Sequence, residues 1–137
     1  MTKPGTSRLY SNGNRLSRKF NKCTKEVKLL LFRTYCSSFY GIHLWSNFTK
    51  KSIQAMKVAY NSSYRSFMAL KRDCSISGNQ VRNNVTTFDA WRRRHVYSIM
   101  MRVEKSCNSV VRCFGNTLYH YYVSPLVQMW WNLLHLS

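Results

Sequence analysis

Acidic residues are nearly missing from this chain. Among 137 residues there are four, Glu26, Asp73, Asp89 and Glu104, against 22 Lys and Arg, for a formal net charge of +18. No two of the four are adjacent. Two-metal phosphoryl transfer needs clustered carboxylates to hold its cations, and glycosidase-type acid/base work needs a pair. Four scattered acids supply neither. Cysteine is sparse in a second sense: there are five, Cys23, Cys36, Cys74, Cys107 and Cys113, an odd number without any Cys-x-x-Cys. A disulfide framework is not expected, and a reducing compartment fits better. The first twenty residues lack an apolar stretch, so no secretory signal is expected and the chain is placed inside the cell, in cytoplasm or nucleus. The sequons at Asn47, Asn61 and Asn84 then read as chance matches in a chain rich in Asn, Ser and Thr.

Other catalytic patterns are missing too. There is no Gly-rich phosphate loop of either common type, and no nucleophile elbow or Cys/His signature. Cys107, Cys113 and His120 are spaced six and seven apart, which puts the two thiols on different faces of one helix. No fourth ligand stands at a zinc spacing. No catalytic residue, metal or cofactor is expected.

What is present is apolar surface and positive charge. Apolar residues make up 45% and aromatics 15%, enough for a core in one ordinary domain. Charge this lopsided repels itself in the compact state. A polyanion would relieve it, with nucleic acid the first candidate and an anionic membrane the second.

The expected fold is all-α: a small bundle of three to four amphipathic helices with a flexible basic N-terminus. Pro4, Gly5, Asn12 and Gly13 mark residues 1–14 as a loose leader, and residues 15–137 read as a single helical domain. The first helix is predicted at about 24–45, with Thr24 as N-cap, Glu26 in the first turn and the stripe Val27, Leu31, Tyr35, Ile42, Trp45. The second is predicted at about 50–70, on Ile53, Met56, Tyr60, Tyr64, Phe67 and Leu70. Residues 74–84 read as a connection. A third helix, about 86–114, starts on a capping-box-like Thr86 with Asp89 and follows Phe88, Trp91, Ile99, Val103, Val110 and Phe114. Gly115 and Asn116 read as its stop. The tail from Thr117 holds no Asp, Glu, Lys or Arg, and after Pro125 a last helix is predicted at about 126–135. Its Tyr, Gln, Asn and His content is too polar for a membrane span.

Candidate nucleic-acid contacts are basic clusters. Arg15, Arg18, Lys22 and Lys25 are spaced three, four and three apart, a ridge able to track phosphates if helical, and split across a turn if Thr24 starts a helix. Lys50-Lys51 and Lys71-Arg72 bracket the second helix, and the last two lie near its C-terminus, where the helix dipole also favours cations. Arg92, Arg93 and Arg94 follow Trp91 and cannot share one helical face. Arginine forks suit phosphate, and an indole can stack on a base. The spacing of Trp91, however, fits the core stripe.

The stretches VKLLLFRTYCSSFYGIHLW (27–45), KVAYNSSYRSFMAL (57–70), CSISG (74–78), NNVTTFDAWRRR (83–94), RVEKSCNSVVRCF (102–114) and SPLVQMWWNLL (124–134) carry a resemblance. Together they resemble the region after the catalytic palm in non-LTR retrotransposon reverse transcriptases, from about Asn12 to near the end. The shared features are Leu31-Phe32-Arg33, Tyr35-Cys36, Leu44-Trp45, Tyr60-Asn61, Arg65, and Ser75 with Ser77. In that family the region is helical, covers thumb and post-thumb segments, and helps hold the template–primer duplex or the element's own RNA. The resemblance implies the same holding role. The family's polymerase depends on an Asp-Asp pair in the palm, which this sequence does not contain. The CCHC cluster that ends some members is not reproduced by Cys107, Cys113 and His120.

The leading expectation is therefore a non-catalytic module that binds RNA or DNA through phosphate contacts, a remnant of such a polymerase. A second reading is a fragment that docks on a separate palm domain, or a relic of a transposable element. A third is binding to anionic membranes through the basic residues and the aromatic tail.

Overall fold

The computed structural model describes residues 4–36, 49–120 and 125–135, with side chains for 10–36, 49–113, 115–117 and 125–135. Helix is the only regular structure among the described residues. The elements are α1 (Pro4–Lys19), α2 (Lys25–Tyr35), α3 (Lys50–Phe67), α4 (Ile76–Arg82), α5 (Phe88–Glu104), α6 (Ser109–His120) and α7 (Pro125–His135). The chain is a small all-α protein, with seven helices among the described residues rather than three to four. The part of the first predicted helix that holds Ile42 and Trp45 lies outside the described residues.

Contacts divide the described chain into two compact units, one running up to Phe88 and one from Asp89 onward. Residues 15–137 are expected from the sequence to form one domain behind a loose leader. Instead α1 begins at Pro4 and runs through that boundary. Proline suits the first helical position, because its missing N–H would be unpaired there anyway. Gly13 is no loop residue either. It is buried in α1, and a Cβ placed on it would stand 3.1 Å from Cβ and Oγ of Ser63 on α3. The glycine lets α1 and α3 approach closely at this point.

The first unit is built around Phe32, which is fully buried. Its ring centroid lies 5.4 Å from Tyr60, 5.1 Å from Tyr64 and 6.4 Å from Phe67. Those three partners sit at i, i+4 and i+7 on α3, the face its sequence period predicts. Phe88 adds a ring 6.1 Å from Tyr60. The phenols stay paired: Tyr60 donates to the Thr86 carbonyl at 2.8 Å, and Tyr64 donates to Asn79 Oδ1 at 2.8 Å. The core face of α2 differs from the expected one. Phe32 and Cys36 are buried, whereas Val27 and Tyr35 are exposed. Four consecutive apolar residues, Leu29 to Phe32, allow more than one helical stripe, and the aromatic cluster on α3 selects the one through Phe32.

The 74–84 connection contains α4. Ser75 caps it, accepting from Gly78 N–H at 3.3 Å. Its C-terminus closes with Val85 N–H bonded to the Gln80 carbonyl at 2.8 Å and Asn84 N–H to the Val81 carbonyl at 3.0 Å. This is the Schellman arrangement, and Asn84 takes the left-handed position at φ 52°. The end of α3 repeats it: Leu70 N–H bonds the Arg65 carbonyl at 3.0 Å, Ala69 N–H bonds the Ser66 carbonyl at 3.2 Å, and Ala69 sits at φ 51°.

In the second unit the predicted 86–114 helix is two helices. Asn108 Oδ1 accepts from Val110 N–H at 2.9 Å and Val111 N–H at 3.3 Å, which caps a new start at α6. Val110, counted into the stripe, is 75% exposed because the break resets the helical phase. Gly115 does not stop the helix, which continues to His120. It is buried, and a Cβ there would meet Val103 Cγ1 at 2.9 Å. Among the described residues of this unit, Val96 and Trp130 are the buried large apolar side chains.

Candidate nucleic-acid interface

Twenty of the 22 basic residues have described side chains, and sixteen of these are exposed; the other four are Lys28, Lys57, Arg65 and Arg92. Two arginines in the first unit are engaged in structure. Arg33 on α2 sends Nη2 to the carbonyls of Asn83 at 2.8 Å and Asn84 at 3.0 Å, so it caps the C-terminus of α4 from another helix. A cation at that end is also favoured by the helix dipole. Arg65 donates to the carbonyls of Arg72 at 3.1 Å and Cys74 at 3.3 Å, which fixes the turn into α4. Both arginines belong to the sequence motifs singled out above, as do the core residues Phe32 and Tyr60 and the cap Ser75. The motif residues that the structure describes mostly hold the first unit together.

The expected ridge is split. Arg15 and Arg18 lie on α1, Lys22 lies in the turn after it, and Lys25 opens α2; all four are exposed. Thr24 is the N-cap of α2, as its sequence suggests. Glu26 in the first turn has its carboxyl pKa lowered, chiefly by a backbone hydrogen bond and then by the Thr24 hydroxyl.

A groove of about 320 Å³ opens between α1 and α2. Arg15 and Lys19 line it with the aromatic rings of Phe20 and Tyr35, and Leu16 and Leu31 form its apolar part. Asn12 adds an amide. Sequence spacing misses Lys19, although it follows Arg15 by one helical turn. It also misses Tyr35 as a surface residue, because Tyr35 sits on a stripe that looks like core. A second recess, about 350 Å³, joins Lys25 and Lys28 to Met68, Leu70 and Asn79. Lys71 and Arg72, both exposed, follow directly in the chain.

Lys50 and Lys51 are exposed in the first turn of α3, whose N-cap Thr49 accepts from Ser52 N–H at 3.2 Å. Cations gain nothing from the dipole at that end.

In the second unit, Arg93 and Arg94 are exposed and Arg92 is half-buried. Burial lowers the Arg92 pKa, opposed by Asp89, and its buried Nε has no hydrogen-bond partner. The three arginines therefore separate by environment. Arg94 lines a shallow recess of about 330 Å³ with Trp91, His95 and Arg102. The Trp91 and His95 rings lie 3.9 Å apart. Trp91 is half-buried, at the margin of the core rather than within it.

Among the described residues no group of three His, Cys, Asp or Glu is placed to hold a metal ion. No described helix is long and apolar enough to cross a membrane. The side chain of His120 and the structure of residues 121–124 lie outside the described part. No family model, curated protein or solved structure matches this chain.

Proposed function

We propose that the protein binds nucleic acid through its basic surface and performs no chemistry on it. The observation that carries this reading is the sixteen exposed cations among twenty described, set beside aromatic-lined grooves. Phosphate neutralisation with counterion release is the free-energy source such a surface is suited to. The acids support the non-catalytic half. Glu26 on α2, Asp73 in the turn between α3 and α4, and Glu104 on α5 are exposed, and Asp89 and Glu104 sit at opposite ends of α5, about 22 Å apart at 1.5 Å per residue. The resemblance to the post-palm region of non-LTR retrotransposon reverse transcriptases supports a holding role for RNA or for a template–primer duplex.

Neutralising variants test this. Arg15→Gln, Arg18→Gln, Lys22→Gln and Lys25→Gln combined should weaken binding to RNA by at least about tenfold, since each lost phosphate contact removes a counterion-release contribution. Circular dichroism should stay unchanged, because all four side chains are exposed. Unaltered affinity would remove this ridge from the interface.

A second reading is favoured by exposed apolar side chains. Leu30 is 64% exposed and Val81 68% in the first unit, and Val110 is 75% and Trp131 57% in the second. Such residues suit docking onto a separate domain, for which a polymerase palm is the partner the resemblance suggests. Light scattering and dye binding to apolar surface discriminate: a clean monomer that binds no dye counts against docking.

A further inference from the structure

We propose that the groove between α1 and α2 takes an unpaired base of a single-stranded nucleic acid, with its phosphates on Arg15 and Lys19. This rests on the nucleic-acid reading and narrows it from a charged surface to a site.

The groove is built by two helix faces that the core does not use. On α1, Asn12, Arg15, Leu16 and Lys19 recur at three- and four-residue steps, and Phe20 continues the turn through its N–H bond to the Leu16 carbonyl at 2.9 Å. On α2, Leu31 and Tyr35 stand one turn apart, on the stripe left outside when Phe32 and Cys36 enter the core. Tyr35 is 56% exposed, so its ring is reachable from solvent. A volume of about 320 Å³ lies at the small end of ligand sites, which start at about 300 Å³.

The lining chemistry selects the occupant. Two cations and no acid line the groove, which calls for an anion. An apolar, aromatic interior beside those cations calls for a flat, weakly polar body attached to that anion. A nucleotide in a single strand has both parts, since every base offers a π-face and its phosphate lies within reach. Base pairs in a duplex are stacked inside the helix and present only their edges and backbone. An inorganic anion would leave Tyr35 and Leu31 without a role. The Asn12 amide, with donor and acceptor, can meet a base edge. Arg18 and Lys22, both exposed, are close to these residues in the chain and available to neighbouring phosphates.

Binding is measured by fluorescence anisotropy on three oligomers matched in phosphate number: single-stranded RNA, an RNA duplex of half its length, and an abasic single strand of the full length. The wild-type protein should prefer the base-bearing single strand. Tyr35→Leu should cut that affinity by about tenfold, the scale of one base–aromatic stack, and leave the duplex and abasic affinities within about twofold. Arg15→Gln with Lys19→Gln should weaken all three. A Tyr35→Leu effect equal on all three oligomers, or absent while RNA binding persists, overturns the base site and leaves the charged surface standing. Failure of every oligomer to bind overturns the nucleic-acid reading and the site together. The thermal melt of Tyr35→Leu separates loss of a contact from loss of the fold.

Discussion

Arg33 shows how a single residue can be charged, exposed and still structural. Its guanidinium reaches two successive carbonyls at the end of α4. Both bonds leave the one nitrogen Nη2, which stands one bond farther from the backbone than a lysine Nζ would, so lysine is a poor substitute. Arg33→Ala should lower stability by about 1–2 kcal/mol in urea unfolding, the scale of charged hydrogen bonds with an exposed partner, and Arg33→Lys should recover only part. Cys36 is the opposite case. It is the buried thiol of the first unit, and burial pushes its pKa up to about 11 from 9.0. The folded state keeps this thiol protonated where the unfolded chain releases the proton. Its contribution is therefore fully present below pH 9 and is lost as pH rises toward 11. Near neutral pH, alkylating agents should modify the exposed Cys74, Cys107 and Cys113 and spare Cys36 until the protein unfolds. Replacing Cys36 with Ala should remove the corresponding alkaline loss of stability.

At the scale of elements, two glycines separate what a sequence reveals from what it hides. Gly13 and Gly115 look like punctuation, and turn signals elsewhere in this chain justify that reading. Each instead lies inside a helix at a close approach to a side chain of another helix. That role depends on a neighbour distant in sequence, so no local pattern announces it. Gly13→Leu should force α1 off Ser63 and lower stability by about 1–3 kcal/mol, as overpacking does, with a lower thermal midpoint and freer proteolysis before residue 20. The face of α3 was legible, because the five apolar residues from Ile53 to Phe67 leave one choice of it; Leu70, counted with them, lies past the end of the helix at Phe67. The face of α2 was not, because Leu29, Leu30, Leu31 and Phe32 are consecutive and only the rings on α3 decide among them. Short α4 was hidden by its caps: Ser75 and Asn84 are turn formers in sequence and helix boundaries in space. The split between α5 and α6 was readable in Asn108, whose side chain is a strong cap, had the apolar stripe not bridged the gap.

At the scale of the whole molecule, charge remains the feature that sequence states most plainly. The candidate basic clusters do not form one ridge; Arg15 joins Lys19 at one groove, Lys25 joins Lys28 at another, and Arg92 is drawn inward. Aromatic walls beside the cations were not legible, since Tyr35 reads as core until the alternative stripe is filled. The nucleic-acid affinity proposed for a surface with this many exposed cations would come from counterion release. The direct measurement is RNA affinity as a function of salt, from about 50 to about 300 mM, where log affinity against log salt should fall by about 0.7 per phosphate contacted on a single strand. Several contacts give a slope of several units, which the account predicts. A flat response across that range would contradict it.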